Sequence, residues 1–421
     1  MNMTGFQCVA CDERQGADYD GYICPACGGN LQVTYDYDKV RAALDLQRPF
    51  HHQRADIFRY LPLLPVTDLS LAPSLRVGAT PLFPARRLGR SVGLEDLWLK
   101  DEGPNPSASF KDRASAVAVT RARELGAEVV AGASTGNAGS SMACMAARVG
   151  VPCVIFVPAA APQAKIAQLL IFGARVLAVR GTYDQAFDLC FEVCKKRGWF
   201  NRNTGYNPYT REGKKTCSFE FCEQFAWKAP DRVVVPVGDG NIISGIWKGL
   251  QELHTLGLID RLPKLVCAQS DGSAAISQSV ARLRQEHADP SAIDWSGVGI
   301  DSVRATTVAD SISVDQPRDG LAAVRAVIES GGDVVTVPDG EIMRAVREIA
   351  RLSGVFVEPS SATTWACLKK MVAEGGVATD ERVLCLLTGS GLKDVAGALR
   401  VAGEPTEIEP TVDAAEAAID L

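Results

Sequence analysis

Lys111 stands in a segment whose residue types suit covalent chemistry. The heptapeptide SASFKDR at 107–113 places this lysine just inside the predicted start of a helix. The helix dipole and the neighbouring Arg113 both disfavour a protonated amine there. A neutral lysine amine is the nucleophile that forms a Schiff base with a carbonyl group. Taken alone, however, the heptapeptide fits an ordinary surface lysine in a first helical turn at least as well.

A glycine-rich segment has the character of a phosphate-binding turn. Residues 233–245 read VVVPVGDGNIISG, a buried strand that turns through Gly238 and Gly240 into a helix near Asn241. Closely spaced glycines let backbone N–H groups converge on an anion, and a helix start adds positive charge. The segment lacks a Walker lysine and the full G-x-G-x-x-G spacing. Tight strand-to-helix turns also use such glycines for structural reasons alone.

Two further turns join predicted strands to helices. The segment GASTGNAG at 132–139 offers hydroxyls and exposed amides that suit a carboxylate, although Ser134 or Asn137 would serve equally as a helix cap. The segment LTGSGLKD at 387–394 places Thr388 at the carboxyl end of a strand. Open α/β sheets bind their ligands at that end.

Four N-terminal cysteines have the spacing of a metal site. Cys8 and Cys11 form one C-x-x-C pair, and Cys24 and Cys27 form a second pair twelve residues further on. Each pair can give two thiolates to one tetrahedral zinc ion, and four cysteines leave no position open for water. The spacing predicts a structural zinc site, with a metal-free appendage as the alternative.

The elements that position these segments alternate between strands and helices. After a predicted strand over 31–37, short β-branched runs alternate with helical stretches from Leu94 to the LTGSGLKD turn. Repeated βα units predict a parallel sheet with helices on both faces. The strands are too numerous for one compact sheet, so we expect an α/β protein with two doubly wound domains.

Composition excludes several classes of protein. The chain has 421 residues, 47% of them hydrophobic, and a net charge of −6 that argues against nucleic acid as the main partner. The longest charge-free run, 129–147, is interrupted by Ser134, Thr135 and Asn137, so it does not predict a membrane span. The N-terminal residues contain no apolar signal region, and we expect a cytoplasmic protein.

Together and in this order, the segments resemble the fold type II (β-family) enzymes that depend on pyridoxal phosphate (PLP), and most closely the threonine synthases. The resemblance runs from about residue 8 to residue 395. Besides the segments already described, it rests on a few short motifs, which are NPSASFKDR, EGKKT at 212–216, IWKGL and VEPSSA at 357–362.

The resemblance implies a role for each motif residue. Lys111 would hold PLP through a Schiff base and then move protons between substrate carbons. Asn137 would bind the 3′-oxygen of PLP, and Thr388 its pyridine nitrogen. Ser134 and Thr135 would hold the substrate carboxylate. The cofactor phosphate would lie against the glycine-rich turn, which comprises Gly238, Asp239, Gly240, Asn241 and Ile242.

The resemblance also implies an organisation for the chain. We expect a zinc-ribbon-like segment over 1–35, followed by a large PLP-binding domain over 36–110 and 212–403. A small mobile domain would occupy 111–211. The acidic, alanine-rich composition of the last residues separately predicts a solvated or loosely docked tail over 404–421. By analogy the protein would be a homodimer that takes a small amino-acid substrate.

The chain departs from the threonine synthase pattern where that pattern holds the substrate phosphate. A Thr or Ser of the pattern is replaced by Ala138, its serine by Gly205 and its arginine by Thr210. Losing an arginine from an anion site is not a conservative change. Arg211 and Lys214 lie nearby as candidate replacements, and we take Arg211 as the predicted substrate-binding residue.

Three functions follow as hypotheses. The first is a threonine synthase, a PLP-dependent lyase that converts O-phosphohomoserine and water to threonine and phosphate. The second is a related PLP enzyme that performs β-replacement or α,β-elimination on serine, threonine, phosphoserine or an acetylated hydroxy amino acid. The third, a non-catalytic scaffold, conflicts with the presence of Lys111, Asn137 and Thr388.

Overall fold

Three β-sheets organise the chain, and the computed structural model describes residues 2–46, 48–50 and 54–419. The strands are β1 (Met3–Cys8), β2 (Arg14–Gly16), β3 (Leu31–Tyr35), β4 (Leu82–Pro84), β5 (Asp96–Asp101), β6 (Val130–Ala133), β7 (Cys153–Pro158), β8 (Arg175–Val179), β9 (Phe200–Asn201), β10 (Arg232–Pro236), β11 (Lys264–Ser270), β12 (Asp333–Val337) and β13 (Arg382–Leu387).

Helices cover these sheets. They are α1 (Tyr37–Ala43), α2 (Arg86–Arg90), α3 (Lys111–Glu124), α4 (Asn137–Val149), α5 (Gln163–Leu170), α6 (Tyr183–Arg197), α7 (Tyr209–Gln224), α8 (Asn241–Thr255), α9 (Ala275–Glu286), α10 (Gly320–Glu329), α11 (Asp339–Ser353), α12 (Pro359–Ala373), α13 (Val395–Ala402) and α14 (Val412–Ala418). Short 3-10 helices lie at Ile57–Leu63, Leu69–Leu71, Asp271–Ser273, Pro290–Ala292, Trp295–Gly297, Asp310–Ile312 and Gly391–Lys393.

The N-terminal sheet is antiparallel, with strand order β2-β1-β3. The strand predicted over 31–37 ends at Tyr35, two residues early. Asp36 ends it because its side chain accepts a hydrogen bond from the backbone N–H of Lys39 and thereby caps α1.

The largest sheet has the order β12-β11-β10-β13-β5-β4. All its pairs are parallel except β4 with β5, which is antiparallel. Every residue of the central strand β10 is buried, as expected where helices cover both faces of a parallel sheet. Pro84 lies in the edge strand β4, where a missing backbone donor is tolerated.

The second parallel sheet has the order β8-β7-β6-β9. Its edge strand β9 contains two residues, Phe200 and Asn201, which pair with β6. The two parallel sheets confirm the α/β class predicted from the alternating pattern.

A buried network of charges fixes the start of α3 against the largest sheet. The Arg113 guanidinium lies 2.7 Å from a carboxylate oxygen of Glu102 and 2.9 Å from one of Glu220 on α7. The Glu220 carboxylate also lies 2.6 Å from the amine of Lys100 on β5. A Cβ at Gly213 would lie 2.0 Å from the Arg113 carbonyl oxygen, so glycine allows α7 to pack closely on α3. The network therefore holds Lys111, two residues before Arg113, in a fixed place.

The described part of the acidic tail lies on the surface. From 404 to 419 every residue is exposed except Ala414 and Ala415, and α14 has no buried residue. Within the described ranges, no helix combines the length and apolar character needed to cross a membrane.

Candidate active site

A cavity of about 590 Å³ lies at the carboxyl ends of strands from both parallel sheets. Its volume is in the range of small-molecule sites, roughly 300–1,000 Å³. The cavity is lined by predicted site residues from three loops and one helix start. The loop after β6 gives Ser134, Thr135 and Asn137, the loop after β10 gives Gly238, Asp239, Gly240, Asn241 and Ile242, the loop after β13 gives Thr388, and α3 begins with Lys111. The structure thus brings these separate segments to one place.

Lys111 has an unusually acidic ammonium group. Burial lowers the pKa of Lys111 to about 8, against the attraction of Glu358, and Arg202 lowers it further. From the sequence, we expected the helix start and Arg113 to disfavour the protonated form of Lys111. The attribution to Arg113 is wrong, because the Glu102 and Glu220 carboxylates neutralise that guanidinium.

The glycine-rich turn joins β10 to α8 and has the shape of an anion cradle. Gly240 has a φ of +90°, and a Cβ there would lie 2.7 Å from the Asp319 carbonyl oxygen. Only glycine meets both conditions without strain. Gly240 is also the N-cap of α8 and offers no side chain to cap the helix. The first backbone N–H groups of α8 are therefore free to bind an anion in the cavity.

The turn before α4 also leaves backbone N–H groups free at a helix start. Its N-cap is Gly136, which has no capping side chain, so the first N–H groups of α4 are open to a ligand beside Ser134 and Thr135. The Asn137 amide donates hydrogen bonds to both carboxylate oxygens of Glu358, at 3.0 and 3.1 Å. Burial raises the pKa of Glu358, a buried carboxyl beside the cavity that the sequence did not single out.

Thr388 is held from behind by a buried serine. The Ser361 hydroxyl accepts hydrogen bonds of 2.9 Å from the backbone N–H groups of Thr388 and Gly389. It also lies 3.3 Å from the Thr388 hydroxyl. These contacts fix the position of the Thr388 side chain at the wall of the cavity.

The structure does not bring Arg211 to the cavity. Arg211 is buried on α7, where its guanidinium forms an ion pair with Asp319. Asp319 also accepts hydrogen bonds from the Asn241 amide at 2.6 Å and the Ser244 hydroxyl at 2.9 Å. Arg211 therefore supports the helix behind the glycine-rich turn.

Two other buried cations line the cavity instead. Arg202 follows β9 and is 3% exposed, and its guanidinium donates to the hydroxyls of Ser115 at 3.1 Å and Thr204 at 2.9 Å. Lys214 is fully buried on α7, and its amine donates to the Asn241 side-chain oxygen. The sequence prediction missed Arg202 because a two-residue strand leaves almost no periodic signal.

Burial lowers the pKa of Arg202 to about 10, so its guanidinium stays charged near neutral pH. Burial also lowers the pKa of Lys214, and repulsion from Lys111 and Arg202 adds to this effect. Arg202 therefore keeps a positive charge at the cavity wall, and an anion that entered the cavity would favour the protonated forms of Lys111 and Lys214.

The four N-terminal cysteines also come together. Their sulfur atoms all lie within 4.8 Å of one another. Sγ–Sγ distances are 3.5 Å for Cys8–Cys27, 3.7 Å for Cys11–Cys24 and 3.4 Å for Cys11–Cys27. A tetrahedral zinc ion with Zn–S bonds of about 2.3 Å would place its sulfur ligands roughly 3.8 Å apart. The donor set therefore fits zinc.

A low-pKa lysine faces a glycine-rich anion cradle and a second uncapped helix start, all at the carboxyl ends of parallel strands. These features are those of an α/β enzyme site that fits a phosphorylated cofactor beside a reactive lysine.

Comparison with known proteins identifies the family. Residues 73–389 match the family described as pyridoxal-phosphate dependent enzyme. The chain is 39% identical to the threonine synthase of Methanocaldococcus jannaschii, with 96% of each chain covered. It is 37% identical to the threonine synthase of Methanosarcina acetivorans, with 99% of each covered. The chain belongs to the PLP-dependent enzyme family and is threonine synthase-like within it.

A solved structure supports the same fold. The processed form of threonine deaminase isoform 2 from Solanum lycopersicum superposes with a TM-score of 0.63 at 21% identity. The match covers 79% of this chain and 84% of that chain. This likeness agrees with the fold type II architecture expected from the sequence.

The pKa of Lys111 leads to a prediction for cofactor loading. The rate at which the apoprotein takes up PLP should rise with pH through a midpoint near 8, because the neutral fraction of Lys111 rises there. Stopped-flow absorbance of the bound cofactor measures this rate. In Glu358→Gln the midpoint should move to lower pH, since the carboxylate that favours the ammonium form is removed. A loading rate that does not change across this midpoint would contradict the assignment.

Proposed function

We propose that the chain converts O-phosphohomoserine and water to threonine and inorganic phosphate, as a PLP-dependent carbon–oxygen lyase. One observation supports this above others: the cavity that holds Lys111 also holds two buried cations, Arg202 and Lys214, as a doubly phosphorylated complex of cofactor and substrate requires. The likeness to threonine synthases over nearly the whole chain points to the same substrate.

The residues present fit PLP. The free N–H groups at the start of α8 and the turn from Gly238 to Asn241 would hold its phosphate. Thr388 would contact the pyridine nitrogen, and Asn137 the 3′-oxygen. Bound PLP supplies an electron sink for negative charge that develops next to the substrate amino group. A threonine hydroxyl at the ring nitrogen makes this sink milder than a carboxylate would.

The protein's own groups then position the substrate and move protons. The start of α4, with Ser134 and Thr135, would bind the substrate carboxylate. The Lys111 amine has its pKa lowered to about 8, so at that pH it can accept a proton from a substrate carbon and return it to another. The Ser361 contacts would keep Thr388 in place at the cavity wall, where its hydroxyl would meet the cofactor.

A second candidate is a related enzyme for β-replacement or α,β-elimination on a smaller amino acid. The observation that favours it is the altered phosphate-binding pattern. Gly205 has a φ of +80°, and a Cβ there would lie 2.7 Å from the Arg318 Cβ, so the serine of the pattern has no room. Arg211 is paired with Asp319 and is not available to a substrate.

The substrate test separates the two candidates. The wild-type protein loaded with PLP should release phosphate from O-phosphohomoserine and form threonine, both followed by coupled assay and amino-acid analysis. Lys111→Ala should lower both rates by at least about a hundredfold, because it removes the proton-transfer group. Lys228→Ala, at an exposed lysine outside the cavity, is the matched control and should leave both rates unchanged.

A protein that loads PLP and leaves O-phosphohomoserine intact would contradict the first candidate. Turnover of serine, threonine, phosphoserine or an acetylated hydroxy amino acid by the same preparation would then establish the second.

We also propose that Cys8, Cys11, Cys24 and Cys27 bind one structural zinc ion, on the strength of their close sulfur atoms. Elemental analysis should find one zinc per chain in the wild type and none in Cys24→Ala. The variant should still load PLP, since the cluster lies beside the end of β1 in the N-terminal sheet and its four cysteines are not among the described residues that line the cavity. A wild-type protein purified without metal would contradict the zinc assignment.

We further propose the division of the chain that the sequence predicts. The zinc segment would occupy 1–35, the large domain 36–110 with 212–403, the small mobile domain 111–211 and the tail 404–421. The two separate parallel sheets support this division. A cytoplasmic homodimer is supported by analogy with the family alone.

A further inference from the structure

Buried positive charge in this protein is almost always matched by a carboxylate. Eight lysine and arginine side chains are buried within the described chain: Lys100, Arg113, Arg202, Arg211, Lys214, Lys215, Arg232 and Lys248. Six of them lie within ion-pair distance of an aspartate or glutamate. Such pairing is expected, because an unpaired buried charge is costly.

Arg202 and Lys214 are the two exceptions among these eight. Neither forms an ion pair with a carboxylate of the described residues, and both line the cavity. Their hydrogen-bond partners are neutral: the hydroxyls of Ser115 and Thr204 for Arg202, and the Asn241 amide oxygen for Lys214. The fold therefore keeps two cations at the cavity wall without a carboxylate at ion-pair distance, while the Asp319 and Asp239 carboxylates favour the protonated form of Lys214 from further away.

The two cations lie on different elements that meet at the cavity. Arg202 follows β9, the neighbour of β6, so it is close to the Ser134 turn at the edge of the second sheet. Lys214 lies on α7 one helical turn after Thr210, and both side chains contact the Asn241 side-chain oxygen. Residues four apart share one face of a helix, whereas Arg211 is rotated away from that face.

We infer that Arg202 and Lys214 bind the phosphate group of the substrate, in place of the arginine that the threonine synthase pattern has at position 210. This inference rests on the proposed function. The cofactor phosphate has its own donors in the N–H groups at the start of α8, which leaves the two cations for a second anion. A guanidinium presents paired N–H donors that match a phosphate, and a lysine adds a point charge.

Arg202→Met tests the inference in the PLP-loaded protein. The variant should fold, because it replaces a buried charge without a carboxylate partner by an apolar side chain of similar length. The KM for O-phosphohomoserine and the dissociation constant for inorganic phosphate, from calorimetry, should each rise at least about tenfold. Affinity for threonine, which has no phosphate, should stay within about twofold of wild type. A merely structural role for Arg202 would not separate the two ligands in this way.

Two further variants complete the experiment. Lys214→Gln replaces the ammonium group by a neutral amide, and it should raise the same two constants while PLP absorbance is retained. If Arg202→Met fails to load the cofactor, the constants measured for Lys214→Gln test the inference instead. Arg261→Met, at an exposed arginine paired with Asp231, is the control and should change neither constant.

The outcomes separate this inference from the proposed function. Phosphate affinity that depends on Arg202, in a wild-type protein that makes no threonine, would keep the anion site and refute the proposed reaction. Threonine formation with unchanged KM and phosphate affinity in Arg202→Met and Lys214→Gln would refute the anion site and keep the reaction. A wild-type protein loaded with PLP that binds no inorganic phosphate would also overturn the inference.

Discussion

Buried cations constrain this fold, because a buried charge is costly unless an anion lies close to it. Most buried cations of the described chain form ion pairs with carboxylates. Arg113 on α3, for example, pairs with Glu102 next to the largest sheet and with Glu220 on α7. The cavity is the exception, since Arg202 and Lys214 have neutral partners there. Lys111 lies in the same cavity, where burial lowers its pKa to about 8 against the attraction of Glu358, and Arg202 lowers it further. Burial thus accounts for a reactive lysine, and the two cations without carboxylate partners account for a site that attracts phosphate.

Close packing of α7 and of the glycine-rich turn makes this distribution possible. Gly213 brings α7 against the backbone of α3, and the same helix carries Lys214 toward the cavity and Arg211 toward Asp319. Gly240 allows the turn after β10 to lie against Asp319, so the start of α8 is open on the cavity side. A side chain at either glycine would displace elements that carry residues of the proposed site.

Much of this arrangement was predictable from the sequence. Long apolar runs such as β10 and β13 predict buried parallel strands, and the turns that follow them carry the residues that line the cavity. The strands β4 and β9 were not predicted, because two or three residues have no measurable periodicity. The position of Arg202 depends on β9 and could not be found without it.

The direction of side chains on a helix was harder to predict than the helix itself. Arg211 was the natural replacement for a missing arginine at 210, yet one residue of helix rotates a side chain by about 100°. Arg211 consequently pairs with Asp319, and Lys214 occupies the face that Thr210 shares. The low pKa of Lys111 was foreseen, but the dominant cause is burial rather than Arg113. The direction of each buried side chain is decided by the residue it pairs with, which can lie far away in the sequence.

We expect this cavity to hold two phosphate groups on separate donors. A crystal structure of the PLP-loaded protein with inorganic phosphate would show whether it does. The cofactor phosphate should lie at the start of α8, with PLP joined to Lys111, and a second phosphate should contact Arg202 and Lys214. A cavity in which Arg202 and Lys214 both contact the cofactor phosphate, with no second anion bound, would contradict it.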